Sequence, residues 1–407
     1  MANVTKLKHL EHIEDEMLNY GTEGCEAAVR FMKELVKMIG GAKSSGSIQT
    51  KWDGAPSVVC GIDPASGEFF VGNKSVFNKD EPKICYTPTD IDYYYSDKPG
   101  LAEKLHASLK YFKELDIKGV IQGDLMFTEG DKKTETVNDE KLITFRANTI
   151  TYGIPEDHDL GKAVAKAKIG VVFHTHYTGS DLESMSAQAG AKVESSTNCV
   201  CIQNDTPIQD VGMSSSDFKK FEGNVQIIEQ MCKKSGDFLD ELVQNAGTTG
   251  NKKFYVGSFV KTFFNAEIKA SRTITDPKKA LKSLGEFYHT KMNKEVSKMK
   301  SVQKQAERRK QLYDGLTYLE DNEQEFHAMF ALYRKIQENK QIVIDALDNL
   351  ESFKTFVQTD QGYKVTAPEG YVAIQDGTNA VKLVDRLSFS VANFNVEKNW
   401  VNGDTKQ

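Results

Sequence analysis

Apolar residues recur at two different spacings along this chain, and the spacing changes three times. Over residues 5–40, Leu10, Ile13, Met17 and Leu18 keep a period near 3.6 residues. Ala28, Phe31, Leu35 and Ile39 do the same. That spacing predicts helices, and Gly40-Gly41 predicts where the second one stops. Over 47–180 the apolar runs become short and are parted by turn formers. Ser57-Val58-Val59-Cys60-Gly61, Phe69-Phe70-Val71, Val120-Ile121 and Ile169-Gly170-Val171-Val172-Phe173 read as strands, with one helix near 100–115. From about 210 to 358 the helical period returns, broken chiefly at Gly247 to Gly250 and at Asp276-Pro277. Beyond 360, Tyr371-Val372-Ala373-Ile374 and Ala380 to Val384 flank the turn Asp376-Gly377.

A final pair of strands is not stable alone, so it is expected to return to the first sheet and leave the helical block as an insertion. The predicted organisation is N-terminal helices over 1–46, a first core segment over 47–209, a helical insertion over 210–360 and a second core segment over 361–407. The predicted class is α+β, with antiparallel sheets, flanking helices and a large helical insertion or second domain. No internal repeat and no long low-complexity tract interrupts this order.

Composition narrows the class. In 407 residues, 39% are hydrophobic and 27% charged, the balance of a soluble globular protein. The net charge of −6 does not advertise a polyanion partner, although a local basic face can sit on an acidic protein. The six cysteines form no Cys-x-x-Cys pair, and Cys199-Val200-Cys201 is too tight for ordinary zinc spacing. They read as reduced structural thiols of a cytoplasmic protein. Met1 to Leu10 has no apolar signal core, and no stretch approaches the roughly 20 apolar residues that cross a bilayer.

The candidate chemistry begins at Gln49-Thr50-Lys51-Trp52-Asp53-Gly54. Lysine just after a predicted strand, followed by Asp-Gly, places an amine at a tight turn. A free lysine, with a pKa of about 10.4, is a poor nucleophile at neutral pH. Burial or neighbouring cations lower that value, and a neutral amine can attack phosphorus. The same four residues also suit an ordinary solvated lysine beside a turn.

Further segments resemble, in order, the covalent nucleotidyltransferase superfamily of DNA ligases, RNA ligases and mRNA capping enzymes. Lys51-Trp52-Asp53-Gly54 resembles its motif I, whose lysine takes the nucleotide. Asn73-Lys74-Ser75 resembles the short basic motif that follows. Gly123-Asp124-Leu125 resembles Gly-Glu-Leu of motif III, with Asp for Glu. Val171-Val172-Phe173-His174 resembles the strand whose aromatic stacks on the base. Pro368-Glu369-Gly370-Tyr371-Val372-Ala373 resembles motif IV in phage-type RNA ligase wording, and Val381-Lys382-Leu383-Val384 resembles motif V. Glu369 and Lys382 are thirteen residues apart, room for one hairpin that aims both at one pocket.

The resemblance implies a nucleotidyltransferase fold, ATP and Mg²⁺. Lys51 is then the nucleophile, with Glu369 and Lys382 completing the catalytic set. Gln49, Thr50, Trp52, Asp53, Gly54, Lys74, Asp124, Phe173 and Lys382 become the nucleotide-binding set, and Glu369 with Asp124 the metal carboxylates. Gln49 can read the purine edge. Phe173 also reads as plain core, and Asp124 as a turn carboxylate. His174 and His176, two apart on a strand, are expected to face one side as surface or pocket histidines. Two departures stand out: Pro56 occupies a position where family ligases often carry Arg, and Val384 replaces the second basic residue of motif V.

Between 278 and 310 stand eleven Lys or Arg against three Glu. Lys291, Lys294 and Lys298 share one helical face and suit a phosphate backbone, although a solvated helix has the same pattern. The reading is an ATP-dependent ligase that joins 5′-phosphate to 3′-hydroxyl ends of nicked or end-bearing RNA, DNA or mixed junctions. It is expected to be a monomer in the cytoplasm, that of the host if viral, without a membrane partner. Two alternatives stand beside it: a GTP-using capping-type guanylyltransferase, and a non-catalytic nucleic-acid-binding protein on this fold.

Overall fold

A computed structural model describes residues 11–42, 47–137, 139–203, 213–348, 354–359, 362–365, 369–375 and 379–386. The first predicted helical turns before residue 11, Pro368 and the turn Asp376-Gly377 lie outside them. The molecule is mixed α and β, and among the described residues its sheets are antiparallel but for one strand pair.

The two predicted N-terminal helices are one element. Helix α1, Glu16–Ile39, kinks at Gly21, whose φ of 59° only glycine adopts freely, and it ends at Gly40. The strand region holds β1 (Ser47–Thr50), β2 (Ser57–Ile62), β3 (Phe69–Gly72), β4 (Val120–Thr128), β5 (Lys132–Val137), β6 (Glu140–Arg146), β7 (Thr151–Pro155), β8 (Ile169–Thr178), β9 (Ser186–Ala189) and β10 (Cys199–Cys201). Three helices punctuate it: α2 (Pro88–Tyr95), α3 (Pro99–Tyr111) and α4 (Asp159–Lys166). Helix α2 starts at a reciprocal Thr87 and Asp90 capping box with Pro88 in the first turn, a sequence-local signal.

The helical block is five helices: α5 (Ser215–Asn245), α6 (Gly257–Lys269), α7 (Pro277–Ser297), α8 (Val302–Asp321) and α9 (Glu323–Asp348). The breaks at Gly247 to Gly250 and at Asp276-Pro277 separate α5 from α6 and α6 from α7. Asp276 caps α7 by accepting from the Lys278 amide at 2.9 Å. Two further breaks, at 298–301 and at Asn322, carry no proline or glycine, and the Ser301 side chain that caps α8 is the local cue. The block is also shorter than its apolar period suggests. The chain is already a strand at β11, Lys354–Thr359, which pairs with β7 and with β12, Gly362–Val365. A sheet partner outweighs local period there.

The last strands are β13 (Tyr371–Gln375) and β14 (Asn379–Leu383). They form a three-stranded sheet with β1, in the order β1-β13-β14. One face of it, carrying Ile48, Tyr371, Ala373, Val381 and Leu383, packs into a large apolar core with α1 and α5 to α9. The N-terminal helix and the helical block therefore share one core. A second sheet, in the order β10-β8-β4-β2-β3 with β9 on β8, is covered on one face by α2 and α3. Its other face meets Trp52, Val384 and the five-stranded sheet β12-β11-β7-β6-β5. The loop after β1 runs between these sheets. No helix among the described residues is long and apolar enough to cross a membrane. All six cysteines are buried and free.

Candidate functional site: a buried lysine between two sheets

Strand alternation places the polar side of the small sheet. Gln49 pairs with Val372, and Val372 with Lys382, so the three side chains form one row on the face opposite the helical core. Thr50 pairs with Tyr371 and shares the helix-facing side, away from that row. Directly after β1, the Lys51 amide donates to the Gly370 carbonyl at 2.7 Å. Gly370 has a φ of 129°, and a Cβ there would lie 2.5 Å from the Leu383 carbonyl oxygen. The glycine thus lets the chain turn tightly against β14 and sets Glu369 opposite Lys51.

The Lys51 ammonium and the Glu369 carboxylate are in direct contact. Both are largely buried. Burial pushes the lysine pKa down, but the charge and hydrogen bond of Glu369, with Asp124 and Asp53 behind it, outweigh that and hold it above its usual value. Burial raises the Glu369 carboxyl to about 7 against the opposing pull of Lys51. Lys382, across the hairpin, is pushed down by burial and by the Lys51 charge. Its ammonium forms no ion pair among the described residues. The site therefore holds one ion-paired lysine and one unpaired lysine around a carboxyl that titrates near neutrality.

The rest of the motif I segment supports the lysine rather than lining a pocket. The Asp53 carboxylate accepts from Asn148 Nδ2 at 2.9 Å, the Thr149 amide at 2.7 Å and the Ile150 amide at 3.0 Å. The Asp53 amide donates to the Tyr152 hydroxyl at 2.6 Å. Trp52 lies tilted on the Tyr152 ring in the core between sheets, with centroids 4.9 Å apart. A Cβ on Gly54 would meet the Asp124 Cβ at 2.7 Å, so only glycine lets the turn close on β4. Asp53 and Trp52 are thus taken up by packing, which corrects their expected place as free nucleotide ligands. The clamp at Asn148–Ile150 and Tyr152 had no signal in the motif pattern.

Asp124 projects from β4 toward Lys51, and its strand partners are Ser57 and Val172. Burial raises its pKa, but the charge and hydrogen bond of His174, then Lys51, overcome this and the carboxyl stays below its ordinary range. His174 Nε2 is 3.4 Å from its Oδ2. The register between β4 and β8 shifts by one between Gln122 and Gly123, and His174 is the extra residue. That bulge places His174 beside Asp124. His176 bonds instead to the Gly190 carbonyl and Gln188, so the two histidines do not share one face.

Phe173 is the second correction. It is 3% exposed and packs edge-on against Phe112, 5.5 Å between centroids, under α3. It lies on the helix-covered face, and Asp124 and His174 are on the other. A base stacked beside Asp124 cannot reach that ring.

Lys74 stands exposed in the turn after β3, and no described contact ties it to Lys51, Glu369 or Lys382. The basic residue absent at Val384 has a counterpart two positions on. Arg386 is buried and donates to Asp15 Oδ1 at 3.0 Å and to the Tyr333 hydroxyl at 2.8 Å. It serves the helical core rather than the pocket. Behind Lys382, the His12 ring is held well below its usual pKa by burial, then by Lys340, Arg386, Lys382 and Lys51. Lys291 and Lys294 on α7, and Lys298 just past its end, lie exposed, far along the chain from these residues.

The fold and site define an α+β protein with a buried lysine–carboxylate centre where two sheets meet. Over residues 3–398 the chain matches the model of the Family of unknown function (DUF6267), and it belongs to that family. No curated protein and no solved structure matches it.

Proposed function

We propose that this chain is an ATP-dependent polynucleotide ligase on a nucleotidyltransferase fold, acting through a lysyl-AMP intermediate at Lys51. The observation that carries the reading is the convergence on Lys51 of Glu369, Asp124 and Lys382 from segments up to 331 residues apart in chain order. Those are the residues, in the order, that resemble motifs I, III, IV and V.

The chemistry follows from their states. The Glu369 carboxylate, in contact with Lys51 Nζ, orients the amine, and the ammonium proton leaves to solvent before attack. The neutral amine then attacks the α-phosphorus of ATP. A nitrogen–phosphorus bond forms, the bond to the bridging oxygen breaks, and pyrophosphate leaves with that electron pair. Lys382, without a carboxylate partner among the described residues, supplies positive charge to the phosphates as negative charge builds. AMP next passes to a 5′-phosphate, and a 3′-hydroxyl displaces it to seal the strand.

Asp124 and Glu369 would hold Mg²⁺. Two carboxylates near one lysine suit an ion that keeps most of its water, and no closed cage of three or more His, Cys, Asp or Glu occurs among the described residues. When bound, the ion neutralises phosphate charge.

The test is incubation with Mg²⁺ and α-labelled ATP or GTP, followed by denaturation. Label from ATP that disappears in Lys51→Ala is expected. Label from GTP alone would replace this reading with a capping-type guanylyltransferase. No label from either would leave only the non-catalytic alternative. Sealing assays on nicked DNA, RNA and hybrid duplexes then identify the junction.

A further inference from the structure

The charge of this protein is unevenly placed. Residues 291–310 carry eight Lys or Arg and two Glu, a net +6 in a chain whose total is −6, so the remainder carries −12. In the fold this stretch is the end of α7, the 298–301 connection and the first half of α8, with Met292 and Val296 turned into the core and most of the rest exposed. Lys253, Lys298 and Arg308 all act on the Glu295 carboxyl, so the loop before α6 adds its charge to the same corner.

Much of that charge is uncommitted. Lys298 pairs with Glu295 at 2.7 Å, and Arg308 stacks on the Phe254 ring. Lys294, Lys300, Lys304 and Arg309 form no ion pair among the described residues, and all four are exposed. Lys310, by contrast, pairs with Asp314 one turn on within α8.

The second observation is apolar. Five large hydrophobic residues stand exposed among the described residues, and two of them are on α8. Val302 is 81% and Tyr313 66% exposed. Val302, Arg309 and Tyr313 follow at spacings of seven and four, so they share one helical face. An exposed aromatic one turn from an unpaired arginine is a stacking platform beside a cation.

We infer that the α7–α8 corner binds single-stranded polynucleotide, with Lys294, Lys300 and Arg309 tracking the phosphates and Tyr313 stacking a base. The inference rests on the reading of the chain as an enzyme acting on polynucleotide ends. Cations alone suit any polyanion. The exposed tyrosine favours a strand whose bases are unstacked, because a duplex keeps its base faces stacked on one another and offers none to an aromatic ring.

The experiment is fluorescence anisotropy of the full chain with a labelled single-stranded DNA or RNA oligonucleotide of about 20 residues, and with its duplex, across a salt series. The probe length is chosen to exceed the roughly 4–16 nucleotides of common single-strand sites. Tighter binding of either single strand than of the duplex is expected. Tyr313→Ala should weaken it about fivefold or more, with Tyr313→Trp restoring it. Lys300→Gln with Arg309→Gln should flatten the salt slope by about 1.4, two phosphate contacts at about 0.7 each. All these positions are exposed, and Lys51 labelling by ATP, which needs no polynucleotide, reports an intact fold and site.

Equal or tighter duplex binding would overturn the inference. So would a Tyr313→Ala affinity within twofold of the parent, or capture by anionic vesicles but by no oligonucleotide. Lost strand binding with intact labelling sinks this surface alone, whereas lost labelling with intact strand binding sinks the lysyl-nucleotide reading alone.

Discussion

At the scale of single residues, the site turns on competition between burial and charge. Lys51 is the candidate nucleophile, yet its resting state is a protonated ammonium, because Glu369 gives it more than burial takes away. Only the neutral amine attacks, so nucleotidylation should quicken as pH rises through the neutral range. Replacing Glu369 by Gln removes the strongest interaction that favours the ammonium; Asp124 and Asp53 still favour it, while burial favours the neutral amine. The Lys51 pKa should therefore fall in Glu369→Gln, moving the rise of the rate profile to lower pH while the maximum rate drops. Competitive acetylation of the Lys51 peptide across neutral and alkaline pH reads the shift directly, even where turnover is lost. An unmoved Lys51 titration would mean that Glu369 does not set its charge state. The same scale shows what a motif leaves out. Asp53, two residues from the nucleophile, reads as a nucleotide ligand by resemblance, but three donors from the Asn148–Ile150 turn occupy its carboxylate.

At the scale of elements, the small sheet is the device that assembles the site. β1 supplies Gln49 and the approach to Lys51, β13 follows Glu369, and β14 carries Lys382. Gly370 is its hinge point, because the backbone there has a positive φ and no space for a Cβ beside the Leu383 carbonyl. Gly370→Ala should destabilise the fold by about 2 kcal/mol or more. It should also lower Lys51 labelling, because the Lys51 amide bonds to that residue's carbonyl. Urea unfolding together with nucleotidylation on folded protein checks both, and a variant of parental stability would show that the turn tolerates a side chain. Elements were legible in sequence where their signals are local. The Asp276-Pro277 start of α7 and the glycine stop of α1 are examples. The strand β11 was hidden inside a helical period, because its paired residues in β7 lie 201 to 205 positions earlier. The β8 bulge was hidden too. It depends on the register with β4, and it decides which histidine meets Asp124.

At the scale of the whole molecule, the N-terminal segment ties the site to the helices. The Glu11 carbonyl accepts from the Lys382 amide at 2.8 Å, while the Glu11 side chain pairs with Lys261 of α6 at 2.9 Å. Next along the chain, Glu14 receives Lys340 of α9 at 2.7 and 2.9 Å, with the two side chains 0% and 3% exposed. A buried pair of this kind costs desolvation to form, yet breaking it strands a charge. Lys340→Met should cost about 3–5 kcal/mol of stability. The double change Glu14→Met with Lys340→Met should cost distinctly less, because no lone charge stays behind. A urea double-mutant cycle measures the difference. Additive losses would show that the pair is not coupled.

The sequence alone determined the alternation of helical and strand regions, the glycine stop of α1, the breaks at Gly247 to Gly250 and Asp276-Pro277, and the identity and order of Lys51, Asp124, Glu369 and Lys382. Those follow from side-chain period, turn chemistry and motif wording, all local along the chain. Only tertiary structure decided that β1 pairs with β13, that α1 shares its core with the helical block, and that Phe173 faces α3 while His174 faces Asp124. Each depends on register between segments far apart in sequence. One residue of slip turns a side chain to the opposite face, and no local pattern carries that information.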